Sequence, residues 1–513
     1  MISENLRKAA EYEKTYEKLI KKEDRPSFHL TPRVGWMNDP NGFSFFDGKY
    51  HMFYQYYPYN SKWGPMHWGH AVSEDMLHWE YLPVALAPDS SSDNVGCFSG
   101  SAVDMGDGRH LLVYTGVMRP GNMEGLLAYE PSDLQVQCVA IGDGIEYAKY
   151  EKNPVIDASM LPEGGSKLDF RDPKVWKLKD GTYCCVVGNR PADGSGQLLL
   201  FTSQDGLEWK YKSVLAENKC RFGTMWECPD FFELDGKWVM LTSPCDMVAA
   251  DYEFVDGSGT LCMIGEYDES KGKFIEEAYH SIEYGVDFYA PQTILTKDGR
   301  RVMIGWMQNW KTLDIKGENE PWFGQMTIPR ELHIKDNRLL QWPAEELDAC
   351  RTERVEYKNV IVSGEKSLEG VAGRIADIEM TFKPAGSREN VRDCDIQKNC
   401  DALKGLEIRF AQGLSEQNVE CYTSIIYNPK DRVMTIDRSH SGVSADLVNS
   451  RSCKLIHPLK NIRMIFDRFS AEVFVNDGEE AMSITMYTDQ SADGITFIAD
   501  GIVEMDVVKY CLG

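Results

Sequence analysis

Three acidic residues stand beside proline or turn residues in otherwise apolar, aromatic stretches: Asp39 in "WMNDPNG" (36–42), Asp172 in "FRDP" (170–173) and Glu227 in "WECPD" (226–230). Carboxylates crowded into one pocket repel one another, and a partly apolar pocket raises the proton affinity of at least one of them. Two carboxyls whose protonation is split in this way suit glycoside hydrolysis, one as nucleophile and one as general acid. Trp36, Trp63, Trp68, Phe98, Trp226 and Trp306 lie beside or between the acid-bearing segments, and aromatic faces take up the C–H faces of sugars. Asn38, Gln55, Ser99 and Arg171 add groups that hydrogen-bond hydroxyls. An aspartate in an Asp-Pro turn commonly serves only the turn, so Asp39 alone argues little. Glu227, flanked by Trp226 and Cys228-Pro229, is a carboxylate in apolar company and needs a reason. Three carboxylates could instead hold calcium, but calcium loops usually space their acids within one segment.

Repetition is what brings the acids together. The stretches that begin at 39, 99, 172, 227 and 290 each read as a strand, an Asp-Gly turn and a second, more apolar strand. Counting back nine positions from the turn glycines Gly48, Gly108, Gly181, Gly236 and Gly299 reaches Asp39, Ser99, Asp172, Glu227 and Ala290. A second unit recurs as "SEDMLHWEYLP" at 73 and "SQDGLEWKYKS" at 203. Hairpin repeats roughly 55–75 residues apart mark a β-propeller, and five copies imply five blades. A β-sandwich, or a pair of them, is the alternative built from many hairpins. In a propeller the inner strands converge on the axis, so equivalent positions form a ring. Three of the five ring members are then acids.

The fold class is therefore all-β: a five-bladed propeller over 28–340, a linker over 341–355 and a C-terminal β-sandwich over 356–513. The sandwich is read from alternating strands such as "IRMIFDRFSAEVFVNDGEE". Residues 1–27 form an N-terminal extension. Leu6, Ala9, Ala10, Tyr16, Leu19 and Ile20 spaced among charges predict an amphipathic helix over 3–22, stopped by Pro26.

The 513 residues carry a formal net charge of −25, which argues against phosphate-backbone and anionic-membrane partners. No stretch has the pattern of a secretory leader or the length to span a bilayer. The fourteen cysteines include the neighbours Cys184 and Cys185 but no zinc-like CxxC pair, so reduced thiols in the cytoplasm are expected. Oligomeric state is not legible, although an exposed sandwich edge could serve a homo-oligomer.

Taken together, "WMNDPNG", "FSGS" (98–101), "FRDP" and "WECPD", in that order, resemble glycoside hydrolase family 32, the β-fructofuranosidases. The resemblance implies Asp39 as nucleophile, Glu227 as acid/base and Asp172 as stabiliser of the transition state. It also places Trp36, Asn38, Gln55, Trp63, Phe98, Ser99, Arg171, Tyr289 and Trp306 at the fructose subsite, the last but one from "DFYAPQ" and the last from "GWM". The implied activity is retaining, exo-acting hydrolysis of terminal β-D-fructofuranosides in sucrose and short fructo-oligosaccharides, with no metal or organic cofactor. Sucrose 6-phosphate is an alternative substrate, for which Arg119, Arg190 and Arg221 are the candidate phosphate contacts. A non-catalytic fructoside-binding propeller is the alternative of another class. On these roles Glu227 should be protonated in its apolar flanks, Asp39 ionised, and Arg171 should hold Asp172 ionised.

Overall fold

Asp-Gly pairs fold the chain back on itself. In the first hairpin Asp47 and Gly48, at φ 45° and 84°, link Phe46 to Lys49; in another, Asp235 and Gly236, at φ 49° and 78°, link Leu234 to Lys237. Two consecutive left-handed residues match the right-handed twist of the flanking strands. The resulting computed structural model describes residues 3–121, 126–313, 321–383, 402–415, 417–442 and 447–513.

Five such antiparallel sheets stand around one axis. Their first strands are Gly35–Phe46, Gly96–Asp104, Gly165–Lys177, Trp226–Leu234 and Tyr289–Leu295, and each packs against the first strands of both neighbours. The ring closes where Trp322–Phe323 adds in parallel to Gly35–Trp36, with Met326 N donating to Leu30 O at 2.8 Å. Between blades the cores are apolar: Val186, Leu198 and Leu200 of the third blade mesh with Phe231, Met240 and Met263 of the fourth. Burying a side chain of this size contributes about 1.5–3 kcal/mol.

The N-terminal helix is shorter than its periodicity predicts. It spans Glu4–Tyr16, capped by the Ser3 hydroxyl, and gives way to 3-10 turns at Glu17–Leu19 and Lys22–Asp24. The helix lies on the outer strand Trp79–Leu86 of the first blade, and the chain then turns so that Arg33 meets Glu13 and Glu17.

The stretch 341–355 also differs from the expected linker. The last blade strand continues to Pro343, a 3-10 helix spans Glu345–Cys350, and the second domain begins with the strand Arg351–Lys366. These residues are polar because the strands lie at edges, where one face meets water. The second domain is a ten-stranded sheet folded over a single apolar core. Its last strand, Gly494–Leu512, runs along Arg351–Lys366 on one side and pairs with both Ile375–Phe382 and Gly405–Leu414 on the other, linking the two layers.

The seam between the domains is charged and deeply buried. His29 sits between Asp467 and Glu472, each at 2.9 Å. Arg330 reaches Glu472 at 2.5 Å and Glu283 at 2.7 Å, and Arg438 reaches Asp287 at 2.5 Å. Asp467 also accepts the backbone N–H groups of Ser27, Phe28 and His29.

Candidate active site

Proline interrupts the ladder at the same point of three inner strands. Asp172-Pro173, Cys228-Pro229 and Ala290-Pro291 each form a bulge, and the residue ahead of each proline has a φ of 66°, 48° and 49°. A proline lacks the N–H that the ladder needs, so the strand bends and aims the preceding side chain at the axis. Asp39-Pro40 and Ser99-Gly100 stand beside the corresponding bulges of the first two blades.

This register corrects the ring read by counting. Cys228, not Glu227, occupies the place of Asp172. The third hairpin closes on the five residues 178–182, whereas the fourth closes on two, so the turn glycine of the fourth arrives one residue early. Glu227 instead aligns with Arg171 and Tyr289, and those three side chains touch. Arg171 Nε and Nη2 donate to Glu227 Oε1 at 3.0 and 2.8 Å, and the Tyr289 hydroxyl donates to Oε2 at 2.7 Å.

The layer beneath holds the other two acids. Asp39 accepts from Ser99 Oγ at 2.7 Å and from Asn38 Nδ2 at 3.1 Å; the Asn38 carbonyl is fixed in turn by the Trp36 indole N–H at 2.7 Å. Asp172 accepts the Cys228 backbone N–H at 2.9 Å, while its own N–H donates to Thr115. The Cys228 thiol lies between the two carboxylates, 3.4 Å from Asp39 and 3.7 Å from Asp172. One layer lower, Lys174 pairs with Asp230 at 2.9 Å.

Burial dominates the electrostatics of these groups. It raises the Asp39 pKa above the usual carboxylate value against the hydrogen bonds of Ser99 and Asn38, with the Glu227 charge adding to the rise. It pushes Asp172 up to about 7, opposed by Arg171 and reinforced by Glu227 and Asp39. The apolar flanks expected for Glu227 do not surround its carboxyl. Trp226 turns into the blade, its indole N–H on Phe222 O, because successive residues of a strand face opposite ways. Arg171, expected on Asp172, spends its hydrogen bonds on Glu227, Asp169 and Gln135.

A cavity of about 280 Å³ opens over the acids. Asn38, Asp39, Gln55, Trp63, Phe98, Ser99, Arg171, Asp172 and Glu227 line it, as do Tyr129, Gln135 and Trp310. Trp63, Phe98 and Tyr129 make one aromatic wall, with ring centroids 5.5–6.1 Å apart. Three residues placed at the subsite by resemblance lie behind the lining. Trp36 and Trp306 are fully buried and support the indole of Trp310, and Tyr289 is buried against Glu227. Trp68 is likewise buried, its N–H on Phe98 O. The acids do not converge as a metal-ligand set among the described residues.

The family model for the glycosyl hydrolases family 32 N-terminal domain matches residues 29–343, and that for the C-terminal domain matches 346–510. The chain belongs to glycoside hydrolase family 32. Among family 32 relatives, a sucrose-6-phosphate hydrolase of Escherichia coli is 37% identical over 90% of this chain and 89% of its own length. A raffinose invertase of Escherichia coli is 34% identical, with 94% of each covered. The structure of a Bombyx mori GH32 beta-fructofuranosidase superposes with a TM-score of 0.79 at 32% identity, covering 99% of this chain and 97% of that one. A variant of that enzyme is solved in complex with sucrose. This chain is thus a glycoside hydrolase with the family's two-domain architecture. The lining residues that motif reading missed lie outside the family 32 motifs: Tyr129 and Trp310 in loops, and Gln135 on the third strand of the second blade, Leu134–Gly142. The one available signal was "NWK" following "GWM" (309–311 after 305–307), a second tryptophan four residues from the first.

Proposed function

We propose that this enzyme is a retaining, exo-acting β-fructofuranosidase that hydrolyses sucrose and short fructo-oligosaccharides in the cytoplasm. One observation carries the reading: two carboxyls line a single pocket in opposite company. Asp39 is held by neutral donors alone, whereas Glu227 is held by a guanidinium and a phenol. Glu227 gives its proton to the oxygen that leaves C2 of the fructosyl unit. Asp39 attacks C2 from the opposite side and forms a covalent fructosyl-enzyme. Glu227 then takes a proton from water, which releases fructose with its configuration retained. Asp172 accepts hydrogen bonds from ring hydroxyls that strengthen as the oxocarbenium charge develops. Arg171 and Tyr289 hold Glu227 through both halves of the cycle.

The cavity, about 280 Å³, sits at the small end of ligand pockets, which run from roughly 300 to 1,000 Å³. That size favours one terminal unit over a polymer chain. The names of curated relatives favour a second reading, hydrolysis of sucrose 6-phosphate. Charge pairing argues against it. Arg171 is the single cation among the described lining residues and is committed to Glu227 and Asp169. Arg119 pairs with Asp133, Arg190 with Asp169, and Arg221 with Glu276. Initial rates on sucrose, sucrose 6-phosphate, 1-kestose and inulin, with the first-formed anomer followed by NMR, test the proposal. Fructose should appear first as the β-anomer and sucrose should be the better disaccharide. An α-anomer, or a ladder of oligosaccharides from inulin, would overturn the mechanism or the exo mode; a large preference for the phosphorylated sugar would select the second reading.

A further inference from the structure

The grip of Arg171 on Glu227 has a second end. Its Nη1 donates away from Glu227, to Asp169 Oδ1 at 3.0 Å and Gln135 Oε1 at 3.3 Å. The other oxygen of Asp169 receives Arg190 Nη2 at 2.5 Å. Asp169 is itself fixed: its N–H donates to Ser166 Oγ at 3.1 Å, and its carbonyl accepts Asn189 Nδ2 at 2.9 Å. Neither Asp169 nor Arg190 lines the cavity. Four charges of alternating sign therefore lead from Arg190, whose side chain is 41% exposed, through Asp169 and Arg171 to Glu227.

The alternation matters because a lone guanidinium favours the carboxylate form of its partner, and the carboxylate cannot donate a proton. Asp169 takes up part of the Arg171 charge on the side away from Glu227. Arg190 in turn offsets part of Asp169. We propose that Asp169, anchored by Arg190, is a positioning residue that holds the Arg171 guanidinium on Glu227 and balances its charge, so that Glu227 can carry a proton at working pH. The proposal rests on Glu227 being the acid/base. Among the described residues, the other groups that face Glu227 are Asp39 from the first blade, Tyr129 from the second, Asp172 from the third, Cys228 and Cys245 from its own, and Tyr289 from the fifth. None of them bridges Arg171 to the surface.

The pH dependence of kcat/KM on sucrose tests this in four variants. Asp169→Asn keeps the shape and removes the charge. Its basic limb should move toward lower pH by about half a unit to one unit, with kcat down roughly tenfold and KM within about twofold, since the residue does not touch the pocket. Arg190→Gln leaves Asp169 uncompensated and should move the same limb toward higher pH, by less because Arg190 is solvent-screened. Asp169→Glu should restore the limb. Glu227→Gln is the reference for the acid/base reading and should abolish the limb. Loss of the limb in Glu227→Gln, with unmoved limbs in both Asp169→Asn and Arg190→Gln, would overturn the role of Asp169 alone. A limb that survives Glu227→Gln would overturn the acid/base assignment, and the proposal with it. Should Asp169→Asn fail to fold, the exposed Arg190→Gln still decides the sign.

Discussion

Buried carboxylates occur at two places in this molecule, and they are treated in opposite ways. At the mouth of the propeller, Asp39 and Asp172 are 8% and 6% exposed, and no cation among the described residues pairs with either. At the seam between the domains, Asp467, Glu472, Glu283 and Asp287 are as deeply buried, yet each meets His29, Arg330 or Arg438. The electrostatic results diverge accordingly. Burial raises Asp39 and brings Asp172 to about 7, whereas Arg330 and His29 hold Glu472 below the ordinary glutamate value despite its burial. His29 itself is raised to about 9 by its two carboxylate partners, against its own burial. Equal burial thus gives opposite charge preferences. The seam neutralises its acids and gains specificity of docking. The mouth leaves its acids buried without a pairing cation, an arrangement that favours positive charge developing beside them.

The contrast can be broken at either end. The largest effect is expected from Asp39→Asn, which should lose on the order of 10⁴-fold or more in sucrose turnover while its thermal melt is no lower than wild type. Near-normal turnover in the folded variant would remove Asp39 from the nucleophile role. At the seam the outcome should reverse. Arg330→Met leaves Glu283 and Glu472 without their shared cation and should cost on the order of 3–5 kcal/mol in denaturant unfolding, with kcat per folded molecule preserved. Next comes His29→Gln. A histidine raised in the folded state contributes stability that is full below pH 6.5 and is lost as pH rises through about 9. The gap in stability between His29→Gln and wild type should therefore be a few kcal/mol near pH 6 and should shrink toward pH 9.5. A gap independent of pH would contradict the charged pairing. The smallest effect, and the one that sharpens the comparison most, is that of Asp172→Asn. A carboxyl whose pKa rises on folding makes the native state lose stability as pH climbs from about 4 through about 7. Asp172→Asn should melt higher than wild type at pH 8 and equally at pH 4, even though its activity falls.

Much of this division was legible in the chain, and the failures have physical causes. The propeller could be read because an Asp-Gly pair recurs in every first hairpin: each glycine is left-handed, and in the first and fourth hairpins the aspartate is too, a turn that few other pairs accept. The three acids stood out because the repeats bring them to the start of the first strand of three blades, and because Glu227 beside Trp226 and Cys228-Pro229 needs a use. Counting from the turns missed the true ring member in the fourth blade, because loop length varies by whole residues while proline bulges stay put. Cys228 was therefore overlooked, and Glu227 was given surroundings that belong to its neighbours. Trp36, Trp306 and Tyr289 face the site but are covered by Trp310 and Glu227, and such covering by a neighbour is not written in residue type. Tyr129 and Gln135 were missed because the segment before and into their strand repeats nothing. The seam was wholly illegible, since His29, Arg330 and Glu472 lie far apart in sequence and meet only after both domains have formed.

The hold of Asp467 on Ser27, Phe28 and His29 also sets a timetable. The strand that bears Asp39 begins at Gly35, yet the anchor of the segment just before it lies more than four hundred residues downstream. At roughly 5–20 residues per second, that anchor arrives on the order of a minute after the segment it must catch. For the larger part of that interval the first blade also lacks Trp322–Phe323, the strand that completes the ring. During synthesis the first blade, with Asp39, therefore waits in an open arc of blades for partners that leave the ribosome hundreds of residues later.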